Sequence, residues 1–175
     1  MSRPEETLDP SEEGSRIVLR SLDHGDLGWI VQRHGELYWR EYGWGSAFET
    51  LVAGVAAEFG SGLAESPARF GGWIAELGGE RAGSVLCMRD DDETARLRLL
   101  LVEPFARGHG IGGLLVDECV RFARGAGYRD LVLWTNGPLA HARPIYERAG
   151  FALDREFTHA RFGIEMTGQD MRLRL

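Results

Sequence analysis

The sequence has little cysteine, no long apolar run and no excess of positive charge, and each shortage excludes a class of protein. Its two cysteines, Cys87 and Cys119, lie outside any Cys-x-x-Cys pair or Cys/His cluster, so we interpret them as buried hydrophobic residues and predict no metal site. No apolar run approaches the roughly 18 residues that a membrane span requires. The net charge of −7 argues against a nucleic-acid partner or an anionic membrane surface.

The composition that is present is typical of a soluble globular protein. A length of 175 residues, with 43% hydrophobic and 27% charged residues, predicts one domain. The segment MSRPEETLDPSEEG is charged and lacks the apolar stretch of a secretory signal. We therefore predict a disordered tail over residues 1–14, a single domain over residues 15–175 and a cytoplasmic location, which reduced cysteines also favour.

Hydrophobic periodicity predicts strands and helices that follow one another along the whole chain. Strands are predicted for RIVLR, GGWIAEL, RAGSVLCMR, TARLRLLLV, DLVLWTN, FALDREFTHARFG and IEMTGQDMRLRL. Helices are predicted between them, the first with Asp26 as its N-cap and Gly43 at its end. Short loops make consecutive strands antiparallel, whereas the central strand–helix–strand segment requires a parallel crossover. This order predicts an α+β domain.

The stretch VEPFARGHGIGGLLV, residues 102–116, has four glycines between a predicted strand and a predicted helix. Each glycine costs a helix about 1 kcal/mol relative to alanine, so the cluster indicates a backbone that a ligand approaches closely. Successive glycine N–H groups, the helix N-terminus and Arg107 together form a nest of positive potential. Such a nest suits a phosphate or diphosphate group.

Other interpretations of the same stretch remain open. Gly108, Gly110 and Gly113 match the GxGxxG fingerprint of a dinucleotide site, but Asp130 lies at the start of the next strand, where it could not reach a ribose. A P-loop is excluded because no Gly-Lys-Ser/Thr follows. The glycines could also form only a tight turn.

Two stretches resemble the motifs of the GNAT N-acetyltransferases. LLLVEPFARGHGIGGLLVDECVRFARGAGY resembles the acetyl-CoA-binding motif of that family, in the pattern Arg/Gln-x-x-Gly-x-Gly/Ala, and ARPIYERAGF resembles the second motif. Within the superfamily, RHGELYWREYGW, ARLRLLLVEP and HARFG resemble the acetyltransferase half of MarR–GNAT fusion proteins. With no room for a winged-helix half, the chain would be a stand-alone acetyltransferase.

The resemblance implies a three-layer α/β/α fold and acetyl-CoA as cosubstrate. Its sheet would be mixed but mostly antiparallel, with about seven strands, about four helices and a parallel pair of the fourth and fifth strands at the cofactor cleft. In the family, the loop binds the diphosphate through backbone amides, and the pantetheine arm lies against the preceding strand. The cofactor-binding residues implied are Leu100, Leu101, Val102, Arg107, Gly108, His109, Gly110, Ile111, Gly112, Gly113, Asn136, Ala142 and Tyr146.

Catalysis of acetyl transfer needs a proton donor for the departing thiolate and a base for the amine. The resemblance assigns the first role to Tyr146, whose alternative is a core aromatic residue. Candidates for the base, or for binding the acceptor, are Glu36, Glu41, Glu103 and His159, directly or through a water. Each glutamate on the first helix could instead be a solvated surface charge, and His159 could have a structural partner.

These residues together predict direct transfer of an acetyl group to a primary amine of a small molecule or peptide. The alternative of a different class is a non-catalytic acyl-CoA-binding sensor on the same fold. Family members are often dimers, so a homodimer is a further expectation. The aromatic residues of the first helical region could line an acceptor pocket, but we interpret them as core; they are Trp29, Tyr38, Trp39, Tyr42 and Trp44.

Overall fold

The central sheet of the computed structural model, which describes residues 16–139 and 141–175, has seven strands in the order β1-β2-β3-β4-β5-β7-β6. Its strands are β1 Ile17–Ser21, β2 Gly71–Leu77, β3 Glu80–Arg89, β4 Thr94–Val102, β5 Asp130–Asn136, β6 Ala152–His159 and β7 Met166–Arg174. Four α-helices are described: α1 Asp26–Tyr42, α2 Ser46–Glu65, α3 Ile111–Gly125 and α4 Arg143–Arg148. Neighbouring strands are antiparallel except β4 and β5, which confirms the predicted fold class. The tail predicted over 1–14 lies outside the described residues.

Two hydrophobic clusters lie on opposite faces of the sheet. One joins α3 to strands β2–β5 and β7, and it includes Cys87 and Cys119, both fully buried as predicted. The other joins α1 and α2 to β2 and β3 through residues such as Ile30, Phe59 and Leu86. The helices therefore form the two outer layers. None of them, in the part of the chain described, is both long and apolar enough to cross a bilayer.

Strands β4 and β5 pair over only three positions and then separate. Thr94–Arg96 pairs with Asp130–Val132, after which β5 continues alongside β7 only. A bulge in β4 lies just beyond this point, because Leu86 pairs with Arg98 whereas Ser84 pairs with Leu101. Leu99 has a φ of 52°, a left-handed conformation that leucine rarely adopts. The sheet therefore has a gap beside the second half of β4.

Glycines end several helices where the sequence predicts it. Gly43, Gly127 and Gly150 follow α1, α3 and α4 with φ values of 70°, 81° and 97°. Helix α4 begins at Arg143 with Pro144 in its first turn, where the missing N–H has no intrahelical role.

The predicted N-cap of α1 is wrong. Gly25 occupies the cap with a φ of 89°, and Asp26 is the first helical residue. The Asp26 carboxylate is fully buried and lies 2.6 Å from Arg20 Nη1 and 2.9 Å from Arg81 Nε. Burial raises the pKa of the Asp26 carboxyl, whereas hydrogen bonds from Arg20 and from the Asp23 N–H lower it. The lowering is larger, so the pKa of Asp26 is below its usual value. The Asp26 carboxylate is therefore bound by Arg20 and Arg81 and does not cap the helix.

Candidate active site

A cavity of about 800 Å³ lies beside the end of β4, beyond the positions at which β4 pairs with β5. Its walls come from the last turns of α1, the end of β4, the glycine loop with the start of α3, and the segment that contains α4. The residues on those walls are Leu37, Tyr38, Glu41, Tyr42, Leu100, Leu101, Val102, Ala106, Arg107, Gly108, Gly110, Ile111, Gly112, Gly113, Leu139, His141, Ala142, Pro144, Ile145, Tyr146 and Arg148. The structure thus brings together every predicted cofactor-binding residue except His109 and Asn136.

The glycine loop presents unpaired backbone donors to the cavity. Gly108 and Gly110 have φ values of 84° and 78°, and a Cβ placed on either would have no heavy atom within 4 Å. Among the described residues, the N–H groups of residues 108–110 donate to no backbone or side-chain acceptor. Gly110 is the N-cap of α3, whose first-turn amides also lack an intrahelical partner. The loop and helix end therefore form an anion-binding concavity.

Gly112 contributes in a different way, through close packing. A Cβ at this position would lie 2.7 Å from Ile145 Cδ1, so the end of the Ile145 side chain, which packs α4 against the start of α3, would have to shift. This packing places the segment that contains Tyr146 beside the glycine loop.

An ion pair joins the glycine loop to α1. Arg107 Nη2 lies 2.6 Å from Glu41 Oε1, and Arg107 Nε donates to the Val102 carbonyl at 3.4 Å. The two side chains are 48% and 27% exposed, so the pair sits at the cavity rim.

Tyr146 lies on α4 with only 5% of its surface exposed. Its ring packs edge-on against Phe151 at a centroid distance of 5.9 Å. Burial raises the pKa of Tyr146, and the nearby Tyr38 phenol and Cys119 raise it further. The phenol therefore stays protonated at neutral pH and can serve as a proton donor.

Of the predicted base candidates on or near α1, Glu41 alone lines the cavity. Glu103 is buried and accepts two hydrogen bonds from Arg33, at 2.6 Å from Nε and 2.8 Å from Nη2. Glu36 pairs with the same Arg33 and accepts a hydrogen bond from Gln32, which lowers the pKa of Glu36. Both carboxylates are therefore committed to Arg33.

His159 lies on β6 outside the cavity, and both of its ring nitrogens have protein partners. Nε2 is 2.7 Å from Asn136 Oδ1 and therefore donates, while Nδ1 accepts from the Arg161 N–H at 3.3 Å. Burial, and then the charge of Arg161, lower the pKa of His159. The contact with His159 occupies Oδ1 of Asn136. The other predicted cofactor-binding residue outside the cavity wall is His109, whose Nδ1 lies 3.3 Å and 3.2 Å from the carbonyls of Ala106 and Arg107.

For Tyr38 and Tyr42 of α1, the structure favours the pocket that the sequence analysis set aside. Tyr38 and Tyr42 were expected in the core, yet both line the cavity while their rings also pack on the cluster around Trp44 and Phe48. Their i, i+4 spacing places them on one helix face, which is the signal that could have found them.

Comparison with known proteins identifies a family. The model of the acetyltransferase (GNAT) family matches residues 29–151. The mycothiol acetyltransferase of Beutenbergia cavernae is 32% identical over 94 residues, which cover 53% of this chain and 31% of that protein. The N-acetylaspartate synthetase of Danio rerio is 36% identical over 80 residues, covering 45% of this chain and 28% of that protein. The match thus spans about a third or less of these two relatives.

Solved structures share the fold over almost the whole chain. A structure from Salmonella typhimurium with its cofactor acetyl-CoA has a TM-score of 0.73 at 18% identity, covering 91% of this chain and 94% of that one. The ribosomal-protein-alanine N-acetyltransferase of Brucella melitensis also has a TM-score of 0.73 at 18% identity, covering 90% and 99%. Because the family model matches most of the chain, and the fold agrees, this protein belongs to the acetyltransferase (GNAT) family.

Proposed function

We propose that this chain is an acetyl-CoA-dependent N-acetyltransferase that transfers the acetyl group directly to a primary amine of a small molecule or peptide. The observation that carries the proposal is one cavity that combines the free amides of the glycine loop with the buried phenol of Tyr146. Acetyl-CoA supplies the thioester from which the amine takes the acetyl group. Every other requirement of the reaction falls to the side chains and backbone around the cavity.

The cavity offers partners for two parts of this cosubstrate, its diphosphate and its pantetheine arm. The unpaired amides at residues 108–110, the N-terminus of α3 and Arg107 match a diphosphate in charge and hydrogen-bonding capacity. Leu100, Leu101 and Val102 follow the point where β5 leaves β4, so their main-chain groups on that side pair with no strand and could pair with an extended amide-bearing arm, which would share the Val102 carbonyl with Arg107 Nε. Ala142 completes the wall beside Tyr146.

In this proposal Tyr146 is the general acid that protonates the departing thiolate. Its raised pKa keeps the proton on the phenol until it is needed. Glu41 is the candidate base, directly or through a water, because it alone among the four candidates lines the cavity.

Two measurements test the proposal against the sensor alternative. Thermal unfolding with acetyl-CoA, NAD and NADP in turn should show stabilisation by acetyl-CoA only. A panel of primary amines should then release free thiol from acetyl-CoA above the rate without amine. Stabilisation by acetyl-CoA without thiol release from any amine would favour the non-catalytic sensor, and stabilisation by NAD alone would reject both.

Three finer expectations remain predictions. They are the likeness to the acetyltransferase half of MarR–GNAT fusions, the cytoplasmic location and the homodimer. Gel filtration with light scattering over a range of concentrations tests the last of these.

A further inference from the structure

We propose that the acceptor amine carries an aromatic or branched apolar group, and that Tyr38, Tyr42 and Leu139 form the surface that selects it. We call these three residues the acceptor wall. The inference rests on the proposed function, since it names the substrate class of that reaction.

The acceptor wall belongs to the cavity that contains the glycine loop and Tyr146. Tyr38 and Leu139 pack on one hydrophobic cluster and line the same cavity as Tyr146, whose phenol marks the reacting end. Leu139 reaches the same end from the chain between β5 and α4. Its N–H bonds to the Asn136 carbonyl at 2.9 Å, and its carbonyl accepts from the Ala142 N–H at 3.0 Å. The Ala142 carbonyl in turn accepts from the Tyr146 N–H at 3.2 Å, so the Leu139 end of the acceptor wall adjoins the proposed general acid.

A packed aromatic cluster holds the acceptor wall in place from behind. The Tyr38 ring stacks on Phe48 at 4.6 Å and lies 5.3 Å from Trp44, while Tyr42 lies 5.4 Å from Trp44. Leu139 packs on the same cluster. Because these rings are already fixed, an apolar group that binds to them pays little for ordering the site.

The charges around the cavity disfavour a polycationic acceptor. Glu41 is the only carboxylate on its walls among the described residues, and it is already paired with Arg107. Arg148 adds a second cation to the same walls. A second ammonium group on the acceptor would therefore lack a partner, and a polar tail would lose water against the acceptor wall. An apolar group avoids both costs.

The experiment compares amines that differ only in the group beyond the reacting end. Thiol release from acetyl-CoA is measured with phenethylamine, isoamylamine, ethanolamine and putrescine. We expect kcat/KM to be at least tenfold higher for the first two, since a buried apolar group discriminates by about that factor or more. Equal or higher kcat/KM for ethanolamine or putrescine would overturn this inference and leave the proposed function standing. Absence of thiol release with every amine of the wider panel would instead overturn the proposed function, and the inference with it.

Variants locate the selectivity. Tyr42→Ser should raise the KM for phenethylamine at least tenfold, with the KM for acetyl-CoA changed less than twofold and little effect on ethanolamine. Trp39→Ser is the matched control, because Trp39 lies on the same helix, is 62% exposed and does not line the cavity. If Tyr42→Ser does not fold, Tyr42→Leu serves, and it should shift preference from phenethylamine toward isoamylamine. An equal loss for all amines in whichever Tyr42 variant folds would overturn the assignment of the acceptor wall.

Discussion

Glu41 Oε1 lies 2.6 Å from Arg107 Nη2, so the last turn of α1 is tied directly to the glycine loop. The contact places a carboxylate beside the amides that we assign to the diphosphate. Within the proposed function, Arg107 then has two possible partners, Glu41 and the diphosphate. Before acetyl-CoA binds, the ion pair holds the Arg107 guanidinium at the cavity rim. The Glu41 carboxylate then lies close to the diphosphate site and repels the diphosphate.

Replacing Glu41 by glutamine should strengthen acetyl-CoA binding two- to tenfold. The substitution removes a like charge from the anion site and releases Arg107, while stability should change by less than about 1 kcal/mol because the pair is partly exposed. Isothermal titration measures the dissociation constant at low and high salt. Glu36→Gln is the control, since Glu36 pairs with Arg33 and does not line the cavity. Weaker binding by Glu41→Gln would mean that the ion pair organises the loop instead of competing with the diphosphate.

Replacing Tyr146 by phenylalanine should lower kcat by at least about a hundredfold, the usual contribution of a general acid. The dissociation constant for acetyl-CoA should change less than twofold, because the ring and its packing remain. Since burial raises the pKa of Tyr146 above that of an ordinary phenol, activity should not fall between pH 7 and 9 through loss of this proton. A pH–rate profile checks this. An alkaline decline below pH 9 that is absent in Tyr146→Phe would contradict the assignment of a protonated acid.

Much of the frame around the cavity could be predicted because its signals are local. Strands β4 and β5 match their predicted limits. The glycine loop could be predicted because few other structures require four glycines between a strand and a helix. The bulge at Leu99 could not be predicted, since nothing about a leucine indicates a left-handed conformation. The pairing of Arg33 with Glu103 joins residues 70 apart in the chain, so only the fold brings them together. Tyr38 and Tyr42 were placed in the core because an amphipathic pattern does not show which helix faces a gap in the sheet.

Replacing Arg33 by methionine should lower the free energy of unfolding by about 3 kcal/mol. The substitution leaves Glu103, whose side chain is 6% exposed, as a buried charge without its partner. Thermal unfolding should show a decrease in Tm of about 6 °C or more. Restoring neutrality with Arg33→Met and Glu103→Gln together should recover part of the loss. Arg129→Met is the control, because its pair with Glu93 is 70% and 64% exposed and should contribute less than about 1 kcal/mol.

His34 makes the stability of the fold depend on pH in a predictable direction. The side chain is 1% exposed, Nδ1 lies 2.8 Å from the Ile30 carbonyl, and Nε2 has no partner among the described residues. Burial lowers the pKa of His34 from 6.5 to about 4. Between these two values the unfolded chain binds a proton that the folded chain does not. The stabilisation from neutral His34 is therefore complete above pH 6.5 and is lost progressively as the pH falls toward 4.

Urea unfolding at pH 7.5 and pH 5 measures this dependence. His34 should account for a decrease of about 2 kcal/mol in the free energy of unfolding at the lower pH. His34→Gln removes the titrating group, so its stability should differ less between the two pH values even if the variant is less stable at both. His24→Gln, which changes an exposed histidine just before α1, should keep the full wild-type difference. A pH dependence that is unchanged in His34→Gln and reduced in His24→Gln would show that the buried ring is not its source.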